Sequence, residues 1–187
     1  MKKLVFSSCL LLSAYLFQAC NNSSTSDNKD SVDSAKTVNK EQKPVDKDVS
    51  DFAVKAANGG MMEVQLGKIA MDKGVSKRVK DFGAMMVQDH TQANDDLKMR
   101  ASALNITLPA AVSDDMQKEI DMCSKKMGKD FDKEYMNMML DDHKKDVDEF
   151  KKAAENLSDS TIKDFASKTL PVLEKHLDSA KAITGKK

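Results

Sequence analysis

From about Ser50 to Thr184, apolar residues return every three or four positions, with few glycines and no strand-like alternation. That spacing gives each segment one apolar stripe at helical pitch, so the chain must bury helices against helices. Three of the stripes carry a histidine. His90 lies on the line Gly83, His90, Leu97, Leu104; His143 on Met136, His143, Phe150, Leu157; His176 on Ile162, Thr169, His176, Ile183. A fourth stripe carries a carboxylate, Glu63, between Ala56 and Ala70. A helix presents the same face roughly every seven residues, so these four polar side chains are expected to point where their apolar neighbours point. The chain has no other histidine.

Helix punctuation divides the segment. A first helix from about Ser50 stops at Gly74, and Ser76 is placed to cap a second that reaches about Leu104. Residues 105–111, with Pro109, form a connection, and Ser113 opens a shorter helix ending near Gly128. Asp130 starts a third long helix to about Leu157. Ser158 or Asp159 opens a fourth, which ends before Gly185 and contains Pro171. Proline inside a helix is expected to bend it and free the carbonyl of Ser167. The fold class is therefore all-α, an up-down four-helix bundle with an extra short helix. With both tight turns at one end, the histidines share a level about 22–24 Å from the bundle end, and Glu63 sits about 6 Å closer to it.

What precedes the bundle reads as targeting. Residues 1–19 have a basic start, Lys2-Lys3, and an apolar stretch from Leu4 to Phe17 that is too short to span a membrane. Phe17-Gln18-Ala19-Cys20 resembles a lipobox, with Gln18 in place of the usual small residue. The resemblance implies a bacterial lipoprotein signal peptide over 1–19 and a lipid on Cys20, so that the membrane is a partner through that lipid. Asn21 follows the cysteine where an aspartate would suggest inner-membrane retention, so the expected address is the outer membrane. Residues 20–49 are rich in Ser, Asn, Asp and Lys and are expected to form a flexible tether, leaving 50–187 as the folded domain. Cys123 then has no partner for an internal disulfide. The chain carries 30 basic and 30 acidic residues without a basic patch and has no tryptophan, which excludes a nucleic-acid binder.

Several local motifs together resemble domain-of-unknown-function family 4142. They are Gly60-Met61-Met62-Glu63-Val64-Gln65-Leu66-Gly67, Phe82 with Met86-Val87-Gln88-Asp89-His90, Phe131-Asp132 with Tyr135 leading to Asp142-His143, and Thr169-Leu170-Pro171 with His176-Leu177. The similarity runs from about Asp51 to Ile183. It implies an exported, ferritin-like helical bundle and no established activity.

A ferritin-like di-metal site needs Glu-x-x-His pairs. Here the residues three before the histidines are Val87, Leu140 and Leu173, which disfavours two-iron chemistry. Glu63, His90, His143 and His176 remain as a set able to hold one zinc, iron or copper ion. The alternative is a structural or interaction module of the envelope in which the same four form a metal-free buried network. Asp89 and Asp142 point about 100° away from the histidines that follow them, so each is expected either to orient a histidine of a neighbouring helix or to pair with a lysine such as Lys144. Methionine is abundant and reads as core filling, although Met116, Cys123 and Met127 share a predicted helix face that would suit copper(I). No serine, cysteine or lysine nucleophile is paired with the four residues, so the reading is of a non-enzymatic protein.

Overall fold

A computed structural model describes residues 30–42 and 45–186 of the protein. The expected signal peptide, residues 1–19, and Cys20 lie outside the described residues. The described residues form six helices, in order: α1 Ser31–Gln42, α2 Lys47–Lys73, α3 Lys77–Ala103, α4 Asp114–Ser124, α5 Gly128–Asn156 and α6 Ser160–Thr184. Their ends follow local chemistry. Asp46 caps α2 by accepting from the amide of Asp48, Ser113 caps α4 through Met116, and Asp159 caps α6 through Thr161 and Ile162. Ser76 stands at the cap position of α3 but makes no side-chain cap bond. The Asp132 carboxylate binds that turn instead, accepting from Val75 and Ser76 at 2.9 and 2.8 Å. Gly185 closes α6 in the left-handed region at φ 69°, and α6 runs through Pro171.

The connections set the directions of the four long helices. The α2–α3 turn meets the start of α5 through Asp132, and Arg78 reaches the carbonyl of Ala182 at the end of α6. At the other end, Ser158 binds Asp46, and Arg100 binds the Thr161 carbonyl and Asp164. The two tight turns therefore sit at opposite ends rather than together as expected. The reason is the segment between α3 and α5, which returns along α2 through α4, so that α3 and α5 run the same way. Around the bundle axis α2 packs on α3, α3 on α6, α6 on α5 and α5 on α2.

The expected common level survives this change. From the end where α2 and α6 begin and α3 and α5 finish, Glu63 and His176 are sixteen residues in and His90 and His143 thirteen. At helical rise this is about 20–24 Å for all four. His90 occupies the middle of α3, so either end gives nearly the same height. Glu63 loses its expected offset because the start of α2, not its end, is the relevant reference.

Apolar side chains form two clusters, one above and one below that level. The upper contains Leu66, Phe82, Met86, Phe131, Tyr135 and Met139; the lower contains Val49, Leu97, Phe150, Ile162, Phe165 and Leu173. Methionines 62, 86, 136 and 139 are core filling. Met127 is exposed and lies beyond the end of α4, so it shares no face with the buried Cys123. Above the polar level α2 and α3 touch backbone to backbone. A Cβ at Gly67 would come within 2.8 Å of the Gly83 carbonyl, and one at Gly83 within 2.8 Å of the Gly67 carbonyl.

Part of the expected tether is helix α1. Its burial is slight, with Ala35 the one buried residue among those of the helix whose burial is described. Polar side chains hold it to backbone: Asn39 exchanges two bonds with Thr107, Ser31 accepts from Ala110 and Ala111, and Asp30 accepts from Asp114. A search for apolar periodicity does not register such an attachment.

A buried glutamate and three histidines between the two cores

Each long helix delivers one member to the polar level. Glu63 comes from α2, His90 from α3, His143 from α5 and His176 from α6; all are buried, with exposures of 2, 6, 0 and 0%. His90 Nδ1 lies 2.9 Å from Glu63 Oε2. His143 Nδ1 lies 2.9 Å from the Met139 carbonyl, one turn back on its own helix. His176 Nε2 lies 2.8 Å from Asp89 Oδ2.

These partners assign the tautomers. A carboxylate or carbonyl only accepts, so the ring nitrogen facing it carries the proton. His90 Nε2, His143 Nε2 and His176 Nδ1 are left as lone pairs. His143 Nε2 and His176 Nδ1 are 3.3 Å apart, and His90 Nε2 is buried with no hydrogen-bond partner among the described residues. One ring nitrogen from each histidine lies within 4.8 Å of the other two. Burial lowers all three imidazoles to about 4, against the attraction of Asp89 on His90 and His176 and of Glu63 on His143. They are neutral at pH 7, so no proton occupies the space between them.

Glu63 stands beside this trio rather than within it. One carboxylate oxygen accepts from His90, while Oε1 is buried without a hydrogen-bond partner and 3.5 Å from His143 Nε2. Burial pushes its carboxyl up to about 7, His143 opposes the rise and Asp142 adds to it.

The two aspartates separate. Asp89 orients His176 from the neighbouring helix. Asp142 touches no histidine. Its Oδ1 is 3.5 Å from Lys145, not Lys144, and its Oδ2 is buried without a partner. Its field reaches Glu63 on α2, and Glu119 of α4 acts on it in turn.

Residues not singled out from the sequence complete the site. A cavity of about 30 Å³ adjoins Glu63 and His90 and is walled by Asn94, Asp146, Gly59 and Gly60. Asp146 follows His143 by three residues and so shares its side of α5, a spacing legible in the sequence but off the apolar line. Burial raises Asp146 to about 9, with Glu63, Asp142 and Glu149 adding and Lys55 opposing. The Tyr135 hydroxyl is also buried without a partner, and Glu63 and Cys123 add to the effect of burial in holding its proton.

A family model for a domain of unknown function, DUF4142, matches residues 34–183. The chain belongs to this family. No curated protein matches the sequence. Among solved structures, a DUF305 fragment from Deinococcus radiodurans superposes with a TM-score of 0.66 at 8% identity, over 76% of this chain and 99% of that one. The "putative secreted protein DUF305" from Streptomyces coelicolor superposes with a TM-score of 0.60 at 17% identity, over 74% of this chain and 95% of that one. At such identities the likeness is one of fold.

Proposed function

We propose that this DUF4142 protein binds one transition-metal ion, with zinc the best fit, through His90 Nε2, His143 Nε2 and His176 Nδ1. A single observation carries the reading. Three neutral imidazoles each donate one nitrogen to an oxygen, His90 Nε2 is left unpartnered, His143 Nε2 and His176 Nδ1 stand 3.3 Å apart, and one ring nitrogen of each histidine lies within 4.8 Å of the other two. Metal-binding histidines are held in this way, the outer hydrogen bond fixing tautomer and ring orientation. Three nitrogens suit zinc in a tetrahedral set, with iron and copper as competitors, and the fourth position falls to water or to Glu63 Oε1. Glu63 then acts mainly by orienting His90, Asp89 by orienting His176, and the Met139 carbonyl by orienting His143. The role is one of holding an ion rather than catalysis.

Glu63 favours a second reading, a metal-free network. Raised to about 7, its carboxyl has a proton available for His143 Nε2. That single donor still leaves His90 Nε2 and His176 Nδ1 without a hydrogen, which is the weaker solution for buried groups. Metal analysis of protein purified without chelator separates the two. The metal reading expects about one ion per chain, lost in His90→Ala and His143→Ala. Trace metal that neither substitution changes would establish the network.

The same reading places the protein in the bacterial envelope, exported and held by lipid on Cys20. Support comes from the leader-like residues 1–19 and from the name of the Streptomyces neighbour. No helix among the described residues is long and apolar enough to cross a membrane, so the anchor would be the lipid. Cys20→Ser is expected to abolish incorporation of labelled palmitate and to move the protein from the membrane to the soluble fraction. Unchanged labelling would end the anchoring reading.

A further inference from the structure

The cavity beside Glu63 is lined by all four long helices and reaches the histidine trio at His90. Its inner wall is Glu63 and His90. Toward the outside it is bounded by Lys55 of α2 and Glu149 of α5, which form an ion pair with side chains 63 and 32% exposed. Between these depths stands Asp146, one turn before Glu149 on the same helix. Three carboxylates, Glu149, Asp146 and Glu63, thus line one path from the surface to the histidines, and Lys55 is the one cation on it.

Two features show that the path is built to stay open. Gly59 lines the cavity, and a Cβ there would meet nothing within 4 Å. At Gly60 a Cβ would fall 2.2 Å from Asn94 Oδ1, so glycine is needed for Asn94 to form its wall. A separate feature is the crowding of acids. Glu63 Oε1 is buried and unpartnered, and burial together with Glu63, Asp142 and Glu149 makes Asp146 keep its proton. Acids outnumber cations on this lining, and such an excess raises the local concentration and arrival rate of ions of the opposite sign.

We infer that this cavity, with Lys55 and Glu149 at its outer end and Asp146 and Glu63 further in, is the route by which a divalent cation reaches the three histidines. The inference rests on the metal reading above and adds the path to it. An anion is disfavoured by the three acids. The larger groove between α3 and α6, which touches His90 and His176, is the rival route.

The test follows zinc uptake by metal-stripped full-length protein, read by competition with a chromophoric chelator. Gly59→Leu puts a side chain into the cavity without a backbone clash and is expected to slow uptake roughly tenfold while final occupancy stays at the wild-type level. Glu149→Gln removes a charge at the mouth and leaves Lys55 unpaired, so uptake should slow by roughly threefold. Lys55→Ala should quicken it by a similar factor, the opposite sign being the mark of a cation path. Circular dichroism checks each variant, and Gly59→Ala serves as the gentler plug if leucine perturbs the fold. Wild-type rates in both Gly59 variants, or slowing of the same sign on removal of Glu149 and of Lys55, would overturn the route while leaving the histidine site intact. A wild-type protein that takes up no zinc would overturn both.

Discussion

Asp89-His90 on α3 and Asp142-His143 on α5 are the same dipeptide on two helices that run in the same direction, yet their aspartates meet opposite chemistry. In both, the histidine turns to the axis and the aspartate turns sideways to the next helix around the bundle. For Asp89 that helix is α6, which presents His176, and an acid meets a base at 2.8 Å. For Asp142 the side is that of α2 and α4, where Glu63 and Glu119 are acids, and burial together with Glu119 raises its carboxyl against the pull of Lys145. One edge of the polar level is thus a satisfied acid–base pair, Asp89 with His176. The other is a crowd of carboxylates, Glu63, Asp142 and Asp146, short of positive charge. A repeated motif does not fix the role of its residues; the side chain contributed by the neighbouring helix does.

The largest effect breaks both edges at once. Replacing His90 and His143 together by alanine should remove the stabilisation zinc gives the wild type, about 2.7 kcal/mol at a hundredfold excess over Kd, or roughly 5–10 °C in Tm. Scanning calorimetry of zinc-loaded and stripped samples checks this. The double variant should melt at the same temperature in both, below the stripped wild type because two buried side chains are gone. Identical melting of loaded and stripped wild-type protein would remove the metal from the account.

Next is the comparison itself. Asp89→Ala frees His176 to rotate and to change tautomer, and should weaken zinc about 10–100-fold. Asp142→Ala touches no histidine and should change affinity by less than about threefold on the same scale. Isothermal titration of the two variants reads the difference. Equal losses would mean that the two edges are equivalent and that the tautomers do not depend on Asp89.

Much of this was legible in the chain, for identifiable reasons. Helical pitch put Glu63, His90, His143 and His176 on inward stripes, and caps at Ser113 and Asp159 gave α4 and α6 the right starts. The shared level followed because His90 is midway along α3, so a wrong assignment of the turns cost little. Partners across helices were not legible. Nothing local tells Asp89 from Asp142, since the difference lies in whether α6 or α2 stands alongside. Asp146 escaped because its importance comes from burial beside Glu63, not from an apolar line of its own. Helix α1 escaped because Asn39, Ser31 and Asp30 attach it by bonds to backbone that composition does not reveal.

The smallest effect sharpens the contrast from the acidic edge. Asp146 faces Glu63 and Lys55 of α2 and has Asp142 and Glu149 on its own helix. Burial first, and then those acids, raise its carboxyl to about 9 in the folded protein, whereas the unfolded chain ionises near the ordinary value of 3.8. A carboxyl whose folded pKa is raised holds a proton that the unfolded chain releases. Its protonation therefore favours folding fully only below about pH 4, and the protein loses stability as pH rises from there toward 9. Asp146→Asn keeps the shape, cannot ionise and should abolish that slope. Stripped protein carrying the substitution is expected to be more stable than wild type by about 1 kcal/mol at pH 8, the gap shrinking toward pH 4. Urea titrations at several pH values measure it. A variant less stable than wild type at pH 8 would mean that Asp146 is ionised and paired in the fold, and that the edge toward α2 is as well satisfied as the edge toward α6.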